Sequence, residues 1–564
     1  MSNGGGLLGT FSGVGSAVAA RSEHHAARPR LSAGALLYGN PLYPLTLLGP
    51  VPERLALQPV SSFPGEVEIG DRLFQGQFRF AGHEVGAPKL PLWLPPGAPD
   101  AWLEDMHGFE WLRDLAAARG ETARRHGRIV LANWIAVCGH WRATVWRADV
   151  LGRRIASWTL AAGFLLRGAE PAWRRSFLSS LAMQTRHLAR IASREATGAA
   201  RIAAIRGLLY GGLCFGPNER RTAAAIRLLI RECRRQVLAD GGHRSRSPRL
   251  LRAVLADLAD CRGLLLAANR VPPEGLTRAI DRIAPMLRAL CHGDGSLAAF
   301  NDAGEGDADA VTTALTMAAA PGRAQANAPH MGFQRLSAGE TTVIVDSARP
   351  QPGLQTAHAG SLALEMSVGS HRLVVNCGPH RGRDDAWAGA LRSTAAHSTL
   401  VIADTNSAQL GNEGGFLADS ARVVCERREG DGATWLDLCD DGYVARFGVV
   451  HRRRLYLGEG GYDLRGEDLL TPSGTMAEPR PFAVRFHLHP SVQASLVMHG
   501  RAVLLRLPDG SGWQLRVVGG SLALNPSVYF DCDGERRRSE QAVIVGVCTN
   551  EGATVKWAIR RVAN

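Results

Sequence analysis

The chain has 564 residues, 45% of them hydrophobic and 21% charged, which is typical of a soluble globular protein and excludes a disordered or fibrous one. Its length exceeds what one hydrophobic core supports, so we expect two or three domains. The net charge is +13 and only Lys89 and Lys556 are lysines, so an arginine-rich surface should attract nucleic acid, acidic lipid or acidic polysaccharide.

The N-terminal stretch is weakly apolar and has no basic residue ahead of its apolar part. That is a poor secretory signal, and we expect residues 1–38 to form a flexible leader. No run of about 20 apolar residues exists, so no membrane span is expected. The ten cysteines form no C-x-x-C pair and lie mostly in apolar runs, which favours buried free thiols and a reducing compartment.

Between residues 101 and 292, apolar residues recur at spacings of three and four, which predicts amphipathic helices. Pro248 suits a first helical turn with Ser247 as its cap, and Gly241-Gly242 suits the end of the preceding helix. The linkers are short, so successive helices should pair as antiparallel hairpins. The clearest predicted helices lie within 171–196, 218–240, 247–270 and 273–291.

Further along, short and often alternating apolar runs are bounded by Gly, Asp or Pro, as in TTVIVDSA (341–348) and FAVRFHLHP (482–490). This pattern predicts antiparallel strands in a sandwich. We therefore expect a first segment and a helical domain over 39–310, and a β domain over 311–564.

Several stretches of this β part follow the order and spacing of a known family: HAGSLALEMSVGSHRLVVNCG, LRSTAAHSTLVIAD, VHRRRLYL, GEDLL and FAVRFHLHP. The helical part adds QVLADGGHRSRSP, similar to that family's Asp-Gly-Gly signature between two helices. On these motifs the chain resembles the heparinase II/III-like family of bacterial polysaccharide lyases. The resemblance implies a multidomain α + β fold, an (α/α) toroid followed by an antiparallel β-sandwich, with a saccharide cleft where they meet.

The resemblance also implies a carbon–oxygen lyase that cleaves an acidic, uronic-acid-containing polysaccharide by β-elimination. The reaction needs a group that neutralises the C5 carboxylate, a base that removes the neighbouring proton and an acid that protonates the leaving oxygen. His358 falls where the family places a cleft histidine and is expected to act as the base. His243 and Arg246, which follow the Asp-Gly-Gly signature, are the other catalytic candidates.

Several family members hold a structural divalent metal between two histidines and an aspartate. His358 and His397 match the histidines and are candidate zinc ligands, but Asn376 occupies the third position, followed by Cys377. Asparagine is a poor zinc ligand, and the next side chain along a strand points to the opposite face.

Candidate substrate-binding residues are arginines, which bind carboxylates with two hydrogen bonds, and tryptophans, which stack on sugar rings or serve as packing in toroids. They are Arg244, Trp141, Trp146, Arg381 and Arg392.

The helical part also departs from the family pattern. Leu250 and Leu251 stand where a Tyr-His pair is expected, Ser245 stands where Glu is expected, and TGAARIAA (197–204) lacks an expected Asn-His pair. Two interpretations follow. The protein is either a lyase with rearranged polar groups, or a catalytically impaired carbohydrate-binding protein that serves in surface polysaccharide handling.

Both interpretations make an acidic polysaccharide the partner. Nucleic acid is not expected, because only the charge favours it and no known binding module is present. Family analogy indicates a periplasmic location, whereas the lack of a convincing signal indicates a cytoplasmic one. The sequence leaves the oligomeric state open.

Overall fold

The computed structural model describes residues 33–86, 93–118, 120–194, 196–216, 218–380, 385–411, 414–418 and 422–562. None of the described helices is long and apolar enough to cross a membrane. They are α1 (Ala33–Tyr38), α2 (Val67–Phe74), α3 (Asp100–Gly108), α4 (Leu112–Ala117), α5 (Gly120–Cys138), α6 (Ala148–Leu165), α7 (Pro171–Ile191), α8 (Gly198–Cys214), α9 (Glu219–Gln236), α10 (Pro248–Ala267), α11 (Glu274–Ala289), α12 (Ala308–Ala318), α13 (Asp385–Leu391) and α14 (Val444–Phe447), with 3₁₀ turns at Tyr43–Leu47 and Thr394–Ala396.

Helices α5 to α12 form a two-layered toroid. In the inner layer α6 packs against α8, α8 against α10 and α10 against α12, while α5 with α7 and α9 with α11 lie in the outer layer. Helix α8 is buried on every side from Arg201 to Cys214, as an inner-layer helix must be. Helix α10 begins as the sequence predicts, because Pro248 occupies its first turn and the Ser247 side chain accepts the Leu250 amide.

Two glycines set the closest approach within the inner layer. A Cβ added to Gly152 on α6 would lie 2.2 Å from the Ala203 carbonyl oxygen of α8, and one added to Gly207 on α8 would lie 2.5 Å from the Gly152 Cα. Both distances are well inside van der Waals contact. The two backbones therefore touch because neither glycine has a side chain.

We expect Gly152→Ala to destabilise the protein by about 1–3 kcal/mol, because the two helices must separate to admit the methyl group. The matched control is Gly263→Ala in α10, where an added Cβ meets nothing within 4 Å. There, alanine should stabilise by about 1 kcal/mol through its helix propensity. Thermal unfolding followed by circular dichroism measures both, and equal midpoints would contradict the close helix contact.

The strands form one small hairpin and two large antiparallel sheets. Strand β1 (Gln77–Phe80) pairs with β2 (His83–Gly86) ahead of the toroid. The other strands are β3 (Asn327–Ala328), β4 (Phe333–Ala338), β5 (Thr341–Asp346), β6 (Leu364–Val368), β7 (His371–Val375), β8 (Leu400–Ile402), β9 (Val423–Gly430), β10 (Ala433–Asp440), β11 (Val449–Leu457), β12 (Asp463–Pro472), β13 (Arg480–Leu488), β14 (Gln493–Val497), β15 (Ala502–Arg506), β16 (Gly512–Val518), β17 (Ser521–Phe530), β18 (Arg536–Cys548) and β19 (Ala553–Arg561).

The nine-stranded sheet is the middle layer of the molecule. Its order is β17-β18-β13-β7-β6-β5-β4-β3, with β8 also paired to β13. Strand β5 is buried along its whole length, since Val343 and Val345 face the second sheet while Ile344 joins the apolar core of the toroid. Burial on both faces explains the nearly continuous apolar sequence of β5. The chain is a helical toroid followed by an antiparallel β-sandwich, as predicted.

The eight-stranded sheet is the outer layer, in the order β14-β15-β16-β19-β12-β11-β10-β9. Its strands alternate buried and accessible residues, as in β11, so only one face packs against the middle layer. The opposite face is open to solvent.

The toroid ends later than the sequence indicated. Helix α12 packs on α10 and α11, and its Val311, Ala314 and Ala318 belong to the helical core. The expected boundary between residues 310 and 311 therefore falls inside helix α12.

All ten cysteines are free thiols, as expected, and seven of them are buried. Burial raises the pKa of Cys214, Cys233 and Cys377 to about 12, so these thiols stay protonated and unreactive at neutral pH.

Candidate functional site

A cleft of about 1260 Å³ opens between the toroid and two segments of the β half, residues 354–356 and Asp533. Arginines and carboxylates line it in equal number, nine of each, so the cleft itself carries no excess positive charge. The arginines are Arg113, Arg147, Arg153, Arg201, Arg206, Arg235, Arg244, Arg249 and Arg252, and the acids are Glu66, Glu104, Asp105, Glu110, Asp149, Glu232, Asp257, Asp309 and Asp533.

Arg206 on α8 is the centre of an ionic cluster in the cleft wall. Its Nε donates to Asp260 Oδ2 at 2.5 Å, and its Nη1 lies 3.5 Å from carboxylate oxygens of Asp257 and Glu110. The hydroxyl of Tyr210 donates to the Asp260 carboxylate at 3.0 Å. Burial raises the pKa of Asp257 to about 7 against the opposing attraction of Arg206, so this cleft carboxyl titrates near neutrality.

The Asp-Gly-Gly signature ties the toroid to the sandwich. Asp240 Oδ2 accepts the backbone amides of His330 and Met331, each at 2.8 Å. Gly241 has a φ of +81°, and a Cβ there would lie 2.0 Å from the Arg282 carbonyl oxygen. Asp240 therefore joins the two halves, and Gly241 allows close packing against α11 within the toroid.

His243 lies at the cleft but both of its ring nitrogens are in use. Its Nε2 lies 3.1 Å from Gln236 Oε1, which can only accept, so Nε2 carries the proton. Its Nδ1 then accepts from the Ser245 hydroxyl at 2.6 Å. Burial lowers the pKa of His243 to about 4, so at neutral pH it is a neutral, fixed imidazole and not a group poised for proton transfer.

The sequence predicted a catalytic role for Arg246, but the structure places this residue in the interior. It is 2% exposed and does not line the cleft. Its guanidinium donates to the Met331 carbonyl at 2.8 Å and the Gly332 carbonyl at 3.1 Å, and it forms an ion pair with Asp346 on β5. The guanidinium therefore joins the helical and β halves and has no group left for a substrate carboxylate.

His358 and His397 form a buried pair away from the lining of the cleft. They are 6% and 1% exposed, and Nδ1 of His358 lies 3.2 Å from Nε2 of His397. Nδ1 of His397 donates to the Ser393 carbonyl at 2.7 Å, so its Nε2 must accept from His358. Burial lowers the pKa of His358 well below its usual range. The expected cleft-facing base is thus a neutral interior histidine.

The residues around this pair do not fit zinc. The third position is Asn376, whose Oδ1 accepts the Ser398 amide at 2.9 Å and whose buried Nδ2 has no partner. The Cys377 Sγ lies 3.4 Å from Nδ1 of His487. Within the part of the chain that the structure describes, no three His, Cys, Asp or Glu side chains gather as a metal site.

The buried histidines predict acid lability. Burial lowers the pKa of His397 to about 4, whereas an unfolded histidine titrates near 6.5, so unfolding takes up a proton between these values. Stability should fall by about 1.4 kcal/mol per pH unit per such histidine as the pH drops below 6.5. In thermal unfolding from pH 7 to pH 5, His397→Gln should give a shallower pH slope than the parent protein. An unchanged slope would refute the assignment.

The predicted sugar-binding residues are mostly structural. Trp146 is 2% exposed and donates to the Cys138 carbonyl, and half-buried Trp141 packs 6.1 Å from the ring of Tyr38. Arg392 donates to the carbonyls of Ala357, Gly414 and Leu354. Arg381 lies outside the described residues. Arg244 is exposed and lines the cleft, and its role in substrate binding stays a prediction.

No sequence motif marks the Arg206 cluster. A signal was present, since Arg206 and Tyr210 stand four apart in a mostly apolar helix, and Asp257 and Asp260 stand three apart in the next inner helix. Such spacing places each pair on one helix face. Charged residues inside strongly apolar helices therefore mark the cleft wall better than the motif residues do.

The cleft also shows the result of the departures noted in the sequence. Leu250 lines it where a tyrosine is expected, and residues 197–200, which lack the expected Asn-His pair, line it as well. Among the described residues, no tyrosine, tryptophan or asparagine belongs to the lining.

Comparisons with known proteins agree with this architecture. The family model described as Heparinase II/III-like, C-terminal matches residues 320–558. FtsZ-localized protein C of Caulobacter vibrioides (strain NA1000 / CB15N) is 33% identical over 545 residues, with 93% of each chain covered.

Two solved structures share the fold over most of the chain. The crystal structure of heparinase III gives a TM-score of 0.71 at 15% identity, covering 90% of this chain and 87% of that one. Heparan sulfate lyase HepC from Pedobacter heparinus gives 0.58 at 16% identity, covering 88% and 83%. At such identities the likeness concerns the fold alone. Because the family model matches residues 320–558 and the relative is 33% identical over 93% of the chain, the chain belongs to the heparinase II/III-like family.

Proposed function

We propose that this protein is a catalytically impaired member of its family that binds a saccharide in the toroid cleft without cleaving it, and that it localises with FtsZ as its relative's name indicates. The observation that carries the first part is the cleft lining. Elimination needs a base, an acid and a carboxylate-neutralising group in contact with the sugar. The cleft offers Leu250 in place of a tyrosine and a His243 whose two nitrogens are already bonded.

The cleft still has the size and polarity of a ligand site. Its volume exceeds the 300–1,000 Å³ of typical small-molecule pockets, which suits an oligosaccharide. Most of its arginines are held by carboxylates, as Arg201 is by Glu232 at 3.0 Å and Arg147 by Asp149 at 2.8 Å. Exposed Arg244 is the best-placed contact for a sugar carboxylate.

The FtsZ part of the proposal is supported by a 33% identical relative whose match covers 93% of this chain. The test is co-sedimentation of the purified protein with polymerised FtsZ from the same organism. We expect the protein in the pellet only when FtsZ polymerises. Recovery in the supernatant under both conditions would contradict the association.

The second candidate is an active lyase of altered mechanism, acting on an acidic polysaccharide. The specific observation in its favour is Asp257, a cleft carboxyl whose pKa of about 7 suits a general acid or base, 3.5 Å from Arg206. A panel of uronate polymers followed by the ultraviolet absorbance of the unsaturated product separates the candidates. A rate that is lost in Asp257→Asn would favour this second function over the first.

A further inference from the structure

The open face of the eight-stranded sheet carries an ordered row of side chains, none of which lines the cleft. Strand register places one residue from each of six neighbouring strands in this row. Since adjacent strands lie about 4.8 Å apart, the row is about 24 Å long. We call it the Arg–aromatic row, and its members in order are Arg428, Trp435, Tyr456, Arg465, Ala558 and Arg516.

The neighbouring row differs in character because its charges neutralise one another. Arg454 lies 3.2 Å from Asp437 and 3.1 Å from Glu467, and Lys556 lies 3.4 Å from Glu467. The Arg–aromatic row contains no carboxylate, although Arg465 pairs with Asp463 outside the row and exposed Arg428 lies 3.6 Å from Glu426 of the neighbouring row. Together with Arg452, the two rows line a groove of about 1020 Å³ that has six cationic side chains and three carboxylates. The groove therefore favours an anionic occupant.

The exposed groups in the groove suit a polypeptide. Trp435 is 39% exposed, its ring centroid lies 5.2 Å from that of Tyr456, and the Arg465 guanidinium lies over the Tyr456 ring at 5.3 Å. Tryptophan, tyrosine and arginine are the residue types that dominate protein-binding hot spots. At one end of the groove Val518 is 71% exposed, an aliphatic surface that a charged glycan would not cover.

We propose that the Arg–aromatic row binds an extended acidic segment of a partner protein. Carboxylates of the segment meet Arg428, Arg465 and Arg516, and an apolar side chain lies against Trp435. The methyl group of Ala558, between Arg465 and Arg516, leaves room for the chain to lie close to the sheet. This inference is independent of the function proposed for the cleft.

The test uses the full-length protein and a fluorescein-labelled peptide of alternating glutamate and leucine. About eight residues, or ~27 Å when extended, match the row. Fluorescence anisotropy should show saturable binding that weakens with salt, and a lysine–leucine peptide of equal length should not bind. The double variant Arg428→Ala/Arg516→Ala and the variant Trp435→Ala should each weaken binding at least about tenfold.

Two controls make the result specific. Arg538→Ala changes an exposed arginine on the nine-stranded sheet, and Arg244→Ala changes the cleft, so both should bind the peptide as the parent does. Circular dichroism confirms that the row variants are folded. The proposal is overturned if the acidic peptide does not bind, if Arg538→Ala weakens binding as much as the row variants, or if a heparin oligosaccharide alone binds the row.

Discussion

Replacing Arg246 by methionine is expected to destabilise the protein by about 3–5 kcal/mol, because the change leaves the buried Asp346 carboxylate without its cation. Asp346 lies on fully buried β5, and the Met331 and Gly332 carbonyls lose a donor as well. The loss should appear as a large fall in the thermal midpoint or as insoluble protein. The reason is that this one guanidinium joins both halves of the fold.

The matched control is Arg244→Met, two residues away in the same loop. Its side chain is exposed in the cleft, so stability should change by less than about 0.5 kcal/mol. If both substitutions left stability unchanged and only sugar binding fell, Arg246 would be a substrate-binding residue and the structural assignment would be wrong.

A second large effect is expected at Asp468, inside the sandwich. Its carboxylate accepts from Arg453 at 2.8 Å, from His451 at 2.8 Å and from the Trp557 indole at 2.9 Å. Arg453 is fully buried, and its guanidinium also donates a hydrogen bond to the Leu362 carbonyl of the middle layer. Asp468→Ala leaves this buried arginine without a counter-charge. We expect the free energy of unfolding, measured by chemical denaturation, to fall by about 3–5 kcal/mol.

Asp463→Ala, on the same strand, is the control for the Asp468 experiment. Asp463 pairs with half-exposed Arg465 and Arg560 on the open face, where an ion pair is worth about 0–1 kcal/mol. Burial opposes ionisation of Asp468, but Arg453 and His451 hold its pKa well below the usual range. Its stabilisation is therefore present above pH ~4 and lost as the pH falls further. Equal losses in the two alanine variants would contradict the buried network.

The sequence predicted the fold because its periodicities are local. Apolar spacing gave the helices within 171–196 and 247–270, and TTVIVDSA gave β5. Strands β10 and β12 were not predicted, since polar and charged residues alternate on their open faces and weaken the apolar signal. Helix α12 was not predicted, because the sequence on either side of it is rich in Ala and Gly.

The candidate site was predicted less well, because a motif gives an order along the chain and not a direction for each side chain. His358 and Arg246 were placed near the cleft by the resemblance and Trp146 by the stacking role of tryptophan, and all three are buried in the interior. The cleft wall instead contains Arg206 and Asp257, which no motif marked. Arg206 and Asp257 come together because helices α8 and α10 pack against each other. The apolar pattern of one sequence does not show which side chains of two helices are in contact.

Mass spectrometry of a uronate oligosaccharide recovered from the protein shows whether the cleft binds sugar without cleaving it. We expect that the sugar binds saturably, that Arg244→Ala weakens the binding, and that the recovered chain has its original mass. Recovery of shorter, unsaturated fragments, formed at a rate that depends on Asp257, would show that the cleft catalyses elimination and would contradict the account.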